Sequence, residues 1–549
     1  MKNVLLPLTL LLGMSVCVSA ETIRCAPGAG SAFRSAVERV RAAGGGTIDF
    51  EKGDYDFDPA EAAEMKFFIS NHDQSAVHRV QLPLVGVTNV TVRGNGARFF
   101  FTGDVIALTL LDTKDVRLEG FSVDWRTPFI TEARATGFAN GRTQLDREPV
   151  WRPVGNCMLF RGDTHEVVER TGSVPLRRDH SKVGLRVGDV VALRPSGRPA
   201  PAAVVYRATD TVVGDVVVHT CHGMAWIVQR SENFTLRGRG RAADRTCGVF
   251  PSAGRITSAH ADATHFSNVK GRVVVENCCF EGMMDDAINV HATCLGVQEV
   301  VAPDRIRCRY MHFQAIGFET SRPGETLRLI RGKTLENGPE IPVKAVERLD
   351  DREIVVTLAR PIPSGYGAGD AVENADYHPE VVFRHNYIAR NRARGALFTT
   401  PKRVLCEGNL FDHVSGSAIL FAGDAQGWYE SGATTDALVT NNVFRNCTTS
   451  RHSFGFTEAV VSLYPEVKDL AAQRTRYHRN VRIVGNRFET FDVPLLFAIS
   501  CSNLVFRGNE IVRNADYAGW GEGDFIVRDS EDVVTEVVVG RSMPRSGVE

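Results

Sequence analysis

The sequence predicts an all-β protein: a right-handed parallel β-helix with an N-terminal capping helix and two small inserted β-barrel-like modules. Three observations predict it. A short φ-x-φ-x-Gly motif (φ apolar) recurs along the chain, asparagines recur at equivalent turns one coil apart, and a short amphipathic helix closed by glycines precedes the first repeat.

The chain opens with Met1-Lys2-Asn3, an apolar run from Val4 to Val18, and Ser19-Ala20. A basic start, a short apolar core and small residues predict a signal peptide over 1–20, cut after Ala20. The mature chain is then expected to be exported, periplasmic or secreted. Phe33, Val37 and Val40 follow at i, i+4 and i+7, one face of a helix. Gly44-Gly45-Gly46 stops that helix, and Thr47-Ile48-Asp49-Phe50 starts a strand. This segment resembles the cap of pectin-lyase-like β-helices, where a helix plugs the open end of the coil and shields its edge.

The repeats begin at Val90-Thr91-Val92-Arg93-Gly94-Asn95 and continue through Val116–Gly120 and Phe234–Gly238. Later copies start at Val381, Val404, Leu438, Val481 and Leu504, and carry Asn386, Asn409, Asn442, Asn486 and Asn509. Asn386 to Asn409 and Asn486 to Asn509 are both 23 residues apart. Period-2 alternation and a constant step describe one unit stacked many times. Asparagine suits such turns because it can form a ladder and tolerates left-handed backbone. Leucine-rich repeats have a similar period, but the L-x-x-L-x-L consensus is missing. The expected layout is 21–126 for the cap and first rungs, 127–230 for the first inserted module and 231–295 for rungs carrying the candidate acids. Beyond these come a second module over 296–376, the remaining rungs over 377–535 and a tail over 536–549.

With 64 Lys+Arg against 65 Asp+Glu, the chain has no charge excess to gather nucleic acid or anionic lipid. After the leader, no stretch approaches the roughly 20 apolar residues of a membrane span. Of 12 cysteines, one falls in the leader. Cys278-Cys279 are vicinal and no pair of Cys-x-x-Cys motifs suggests zinc, so the cysteines read mainly as small core residues.

The chemical signal lies in Ala259-His260-Ala261-Asp262-Ala263-Thr264-His265-Phe266 and Met283-Met284-Asp285-Asp286-Ala287-Ile288-Asn289-Val290-His291. Asp262 and Asp286 are 24 residues apart, almost one coil. Stacked rungs lie about 4.8 Å apart, so Asp262 should neighbour Asp285 and Asp286. Adjacent strand residues face opposite ways, so both aspartates converge only if Met284–Asp286 is a turn or bulge. Asn289 and His291 share one strand face and are expected to line the same cleft; Glu319, in the second module, is expected to close over it. A lone Asp at such a turn usually just hydrogen-bonds backbone amides. Several acids one rung apart instead suit glycosidic cleavage, which needs one protonated and one ionised carboxyl, and close like charges supply the first. No metal or other cofactor is required: there is no His-x-His or H-E-x-x-H arrangement.

At these residues, together with Gly427-Trp428-Tyr429-Glu430-Ser431-Gly432, the chain resembles glycoside hydrolase family 110, the inverting exo-α-1,3-galactosidases. Ile69-Ser70-Asn71-His72-Asp73-Gln74 and Ser122-Val123-Asp124-Trp125-Arg126-Thr127-Pro128-Phe129 are also similar to that family. The resemblance covers nearly the whole mature chain. It implies removal of terminal α-galactose from galactosyl-α-1,3-galactose caps, with or without fucose branching as in the blood-group B determinant. It implies Asp262, Asp285, Asp286 and Glu319 as the catalytic carboxylates, acid and base unassigned, and it suggests a homodimer. Trp125 and Trp428 are candidate platforms for a sugar face. His72, Asp73, His265 and Glu430 are candidate partners for galactose hydroxyls, beside Asn289 and His291. A hydrolase or lyase acting on uronic-acid polymers would need Lys or Arg near the acids, and no basic cluster adjoins Met283–His291 in sequence. A non-catalytic glycan-binding β-helix would not need stacked acids. Fold alone cannot choose between these readings.

Overall fold

A computed structural model describes residues 21–26, 30–168, 179–450 and 458–540. The expected leader 1–20 and the end of the tail, 541–549, lie outside the described residues. The described chain winds into a parallel β-helix built on a 21-stranded and a 13-stranded sheet.

The repeat motifs become one column of the coil. Val90, Val116, Thr211, Phe234, Val273, Val381, Val404, Ala437, Val481 and Leu504 pair in turn in parallel register. All are buried, and each large apolar member contributes about 1.5–3 kcal/mol on leaving water. The helix Gly30–Ala42 caps the coil, with Phe33, Val37 and Val40 buried and Phe33 stacked on Phe50 at 6.0 Å. Gly46 ends the connection with φ 155°, where a Cβ would come 2.6 Å from the Glu21 carbonyl oxygen.

The asparagine ladder forms. Oδ1 of Asn409 accepts from both the backbone N–H (2.9 Å) and the Nδ2 (3.1 Å) of Asn386. Asn442, Asn486 and Asn509 repeat this pattern toward the next Asn before them. The left-handed backbone falls one residue earlier than expected, on His385, Gly408, Asn441, Gly485 and Gly508. At the ladder's upper end Cys278 donates its backbone N–H to Asn386 Oδ1, so the column continues where the sequence carries no Asn.

The inserted modules differ from each other. Arg142–Leu145, Thr131–Ala139, Val190–Pro195 and Val154–Phe160 make a four-stranded antiparallel sheet in that order, with a small core of its own around Leu159, Val191 and Leu193. The six strands between Leu295 and Asn374 close into a barrel around Ile306, Ile341, Val356 and Leu358. The expected span 127–230 is too long for the first module. Ala203–Tyr206 is already a rung strand between Ile106–Leu111 and Trp226–Gln229, and Thr209–Gly214 lies between neighbouring rungs. Its left-handed turns fall on Arg207, Asp210 and Asp215, so the Gly and Asn that mark other rungs are missing. The coil itself is undisturbed by either excursion: Val116 pairs with Thr211, and Val275 with Phe383. All eleven described cysteines are buried and none forms a disulfide; they pack as small apolar side chains. Among the described residues, no helix is long and apolar enough to cross a membrane.

Candidate active site

Parallel stacking of Thr264–Ser267, Ile288–Thr293, Ala396–Phe398 and Ile419–Phe421 sets His265, Asn289, Leu397 and Leu420 in one row. Alternation along each strand turns this row outward, where it floors a cavity of about 330 Å³. The turns entering these strands bring the acids. Asp262 and Asp286 occupy equivalent places on adjacent rungs, with the Ala263 N–H donating to the Asp286 carbonyl. Met284–Asp285 is a bend, the condition under which neighbouring aspartates converge. Carboxylate oxygens of Asp262, Asp285 and Asp286 lie within 4.8 Å of one another.

Arginines surround these acids, contrary to the reading that no basic cluster adjoins them. Arg198, from beyond the first inserted sheet, donates Nη2 to Asp285 Oδ2 at 2.9 Å. Arg394, on the next rung, donates its backbone N–H (2.9 Å) and Nη2 (2.8 Å) to Asp286. Arg392 donates to the Met284 carbonyl, and Arg194 lines the cavity beside Asn156. The pair Arg392 and Arg394 enters the strand at Ala396, which aligns with Ile288. That alignment was the available signal, but the barrel separates the two turns by 108 residues in sequence.

These neighbours drive the three carboxyls apart electrostatically. Burial, then Asp285 and Asp286, hold the Asp262 carboxyl far above its ordinary range. Burial, opposed by Arg394 and reinforced by Asp285, pushes Asp286 up to about 7. Asp285 is also penalised by burial, but Arg198, Arg392 and Arg394 outweigh it and hold Asp285 below the usual carboxylate range. One protonated and one ionised carboxyl at neutral pH are the requirement for acid–base cleavage.

A further part of the cavity lining comes from the loop after Ile419–Phe421. Asp424 accepts backbone N–H bonds from Gln426, Gly427, Trp428 and Tyr429, which folds the loop and presents Trp428. Glu430–Ser431 then pairs antiparallel with Ala292–Thr293, setting Glu430 beside His291 at 3.5 Å. Asn71 donates to Glu430 at 2.8 Å, and burial, then Asp424 and Glu430, push Glu466 up to about 7. His312 of the barrel stacks on Trp428 at 3.9 Å, and neither His312 nor Glu466 stood out in the sequence.

Of the residues singled out, Asp262, Asp285, Asp286, His265, Asn289, His291, Trp428 and Glu430 come together here. His72 and Asp73 stand behind them. His72 is fully buried and accepts the Met224 N–H, while Asp73 holds the Arg198 backbone N–H (2.7 Å) and Gln314 Nε2 (2.9 Å). Trp125 is a core residue, packed on Phe101 with its indole N–H on the Gly103 carbonyl. Glu319 does not line the cavity. Its carboxylate pairs with Arg322 and, at 3.0 Å, with Arg230, which also binds Glu325 and thereby docks the barrel on the coil. Among the described residues, two groups of donors have cation-site spacing, the three aspartates and His265–His291–Glu430. Arginines already compensate Asp285 and Asp286, and Asn71 engages Glu430, so neither group is read as a metal centre.

A protein of Akkermansia muciniphila named alpha-1,3-galactosidase B is 45% identical, across 94% of this chain and 69% of that protein. The chain belongs to glycoside hydrolase family 110. Another family 110 member, alpha-1,3-galactosidase B of Parabacteroides distasonis, is 36% identical over 86% of this chain and 82% of its own. Alpha-1,3-galactosidase A of Bacteroides fragilis is 31% identical over 88% and 85%. The family profile described as GLAA-B beta-barrel domain II matches residues 305–372, within the closed barrel. The family 110 barrel is thus the element that sets His312 against Trp428 and carries Arg230's partners to the coil.

Proposed function

We propose that the protein hydrolyses terminal α-1,3-linked galactose from glycans, with inversion, and works as an exported enzyme. The observation that carries this is the cavity itself. At about 330 Å³ it lies at the small end for ligand sites, the scale of one sugar rather than a polymer run. Trp428 offers a face for the apolar side of the sugar, and Asn289 Oδ1 and Thr399 Oγ1 are buried cavity-lining oxygens without a protein partner, suited to sugar hydroxyls.

The three aspartates supply one half of the chemistry. Their oxygens, within 4.8 Å, are closer than the roughly 6.5–9.5 Å that admits a water between acid and base. The partner carboxylate for inversion is therefore drawn from Asp424, Glu430 and Glu466, which line the same cavity, and not from Glu319. Two of the four arginines lining the cavity, Arg198 and Arg394, are engaged by Asp285 and Asp286, which favours a neutral sugar. Export rests on the pattern of residues 1–20. The deciding experiment incubates the protein with galactosyl-α-1,3-galactose, its fucosylated counterpart and polygalacturonate, following products by proton NMR before mutarotation. β-Galactose first is the expected product. α-Galactose first overturns inversion, and no galactose at all overturns the assignment.

A further inference from the structure

A row of aromatic rings leads from the cavity to the surface. Trp428 lines the cavity, His312 of the barrel stacks on it at 3.9 Å, and Phe313 packs against His312 at 4.7 Å. The far end of this row is open to solvent. Phe313 is 62% exposed and Met311 beside it 42%, and among the described residues no other phenylalanine is exposed. A single exposed apolar side chain is ordinary on a protein surface. What sets Phe313 apart is its continuity with a ligand cavity and the way its loop is held.

That loop is a fixed ledge. Gln314, next to Phe313, is buried, and its carbonyl accepts the Asn71 N–H at 2.6 Å and Gln74 Nε2 at 2.7 Å. Its side-chain amide donates to Asp73 at 2.9 Å. The Gln314 N–H donates to His312 Nδ1 at 3.2 Å, and the Ala315 N–H to the His312 carbonyl at 3.1 Å. A His312 Nδ1 that accepts leaves the hydrogen on Nε2, so the ring is uncharged. Burial, opposed by Glu430 and joined by Arg198, also holds His312 below the ordinary imidazole range. The rings therefore stand ordered before any ligand arrives, which lowers the entropic cost of binding.

The cavity has room for about one sugar, so a terminal galactose seated there leaves the rest of its glycan outside. Met311–Ala315 carries no charged side chain, and an exposed ring suits the flat C–H face of a neutral sugar. We propose that Phe313, on the ledge held by Gln314, is a subsite for the neutral sugar on the leaving-group side of the scissile linkage. His312 is the positioning residue that joins this subsite to Trp428. The enzyme then reads at least two sugar residues, one in the cavity and one on the ledge. A second copy of the chain fits the ledge less well, since two side chains fall far short of the roughly 800 Å² per partner of a stable interface. This subsite rests on the hydrolase reading above, and the two fail separately.

Two substrates isolate the subsite. Galactosyl-α-1,3-lactose carries sugars on the leaving-group side, and α-galactosyl fluoride carries none. In Phe313→Ala, checked for folding by its thermal transition, kcat/KM for the trisaccharide should fall about 3–10-fold relative to that for the fluoride, mostly through KM. Phe313→Tyr keeps the ring and should restore the parental ratio. An unchanged ratio in folded Phe313→Ala overturns the subsite. A parent protein that releases galactose from neither substrate overturns the hydrolase reading instead, and binding then decides the subsite. Lactose, the disaccharide left after cleavage, should give saturation-transfer NMR signals with the parent that weaken with Phe313→Ala. Equal signals, or none with the parent, overturn the subsite. So does a parent dimer that Phe313→Ala turns into a monomer, because Phe313 would then face a second copy.

Discussion

Arg198 and Asp285 meet at 2.9 Å although 87 residues separate them, and this contact keeps one of three adjacent aspartates ionised. Replacing the guanidinium by an apolar side chain, Arg198→Met, should therefore raise the Asp285 pKa. A carboxylate that must be ionised then fails first at low pH. The acid limb of kcat/KM should move to higher pH, with a loss of about 10–100-fold at pH 6 that shrinks by pH 8. A pH–rate profile of the variant checks this, and an unmoved acid limb would remove Asp285 ionisation from the rate.

Asp262→Asn and Asp286→Asn should each lower kcat by at least about 10²-fold while leaving the coil folded, since the amide matches the acid in volume. Stability adds a second, signed readout at Asp262. Its folded pKa lies above the unfolded value of about 3.9, so its proton stabilises the fold fully below about pH 4. That contribution is lost as pH rises toward and through the folded value. The amide introduced by Asp262→Asn titrates nothing, so the variant's Tm should improve relative to the parent as pH rises above about 4. A constant Tm difference would mean Asp262 is not protonated in the fold.

Chelation should leave turnover intact. A cation at the three aspartates would have to displace Arg198 and Arg394, whose guanidiniums already neutralise Asp285 and Asp286. Activity abolished by EDTA and restored by calcium or zinc would contradict this.

Arg230 and Glu319 should separate stability from chemistry. Arg230 is buried between Glu319 and Glu325, so Arg230→Met strands two acids and should cost about 3–5 kcal/mol in denaturant unfolding. Glu319→Gln should keep kcat within a factor of about three and cost at most about 1 kcal/mol, since that carboxylate is partly exposed. A kcat loss of about 10² in folded Glu319→Gln would restore a direct role for it.

Asn442 sits in mid-ladder, bonded to Asn409 and Asn486. Asn442→Ala leaves buried backbone and side-chain partners unmet and should cost about 1–3 kcal/mol without altering KM. A neutral effect on the denaturation midpoint would show that water replaces the rung-to-rung bonds.

The rungs were legible because their core alternates with period 2 and their turns repeat Gly and Asn. The stacking of Asp262 on Asp286 was legible because 24 residues match a coil. Arg198 and Asn71 were not, since they reach the cavity from loops that no periodicity connects to the acids, and Arg394 was hidden because the barrel puts 108 residues between it and the equivalent rung position of Asp286. Ala203–Gly214 was lost to the first module because its turns use Arg207, Asp210 and Asp215. Trp125 shows the converse: a tryptophan in a distinctive motif that serves only as packing, with its indole N–H satisfied by Gly103.

Asp73 grips Arg198 with one carboxylate oxygen and Gln314 with the other, so it joins the arm of one excursion to the arm of the next. The coil can propagate rung by rung through short-range pairing, but this clasp needs segments 125 and 241 residues downstream to arrive together. During refolding, sheet signal and buried-aromatic signal should return before any sugar is released. Catalytic competence should therefore be the last property to return, because its final stitch is made outside the repeat.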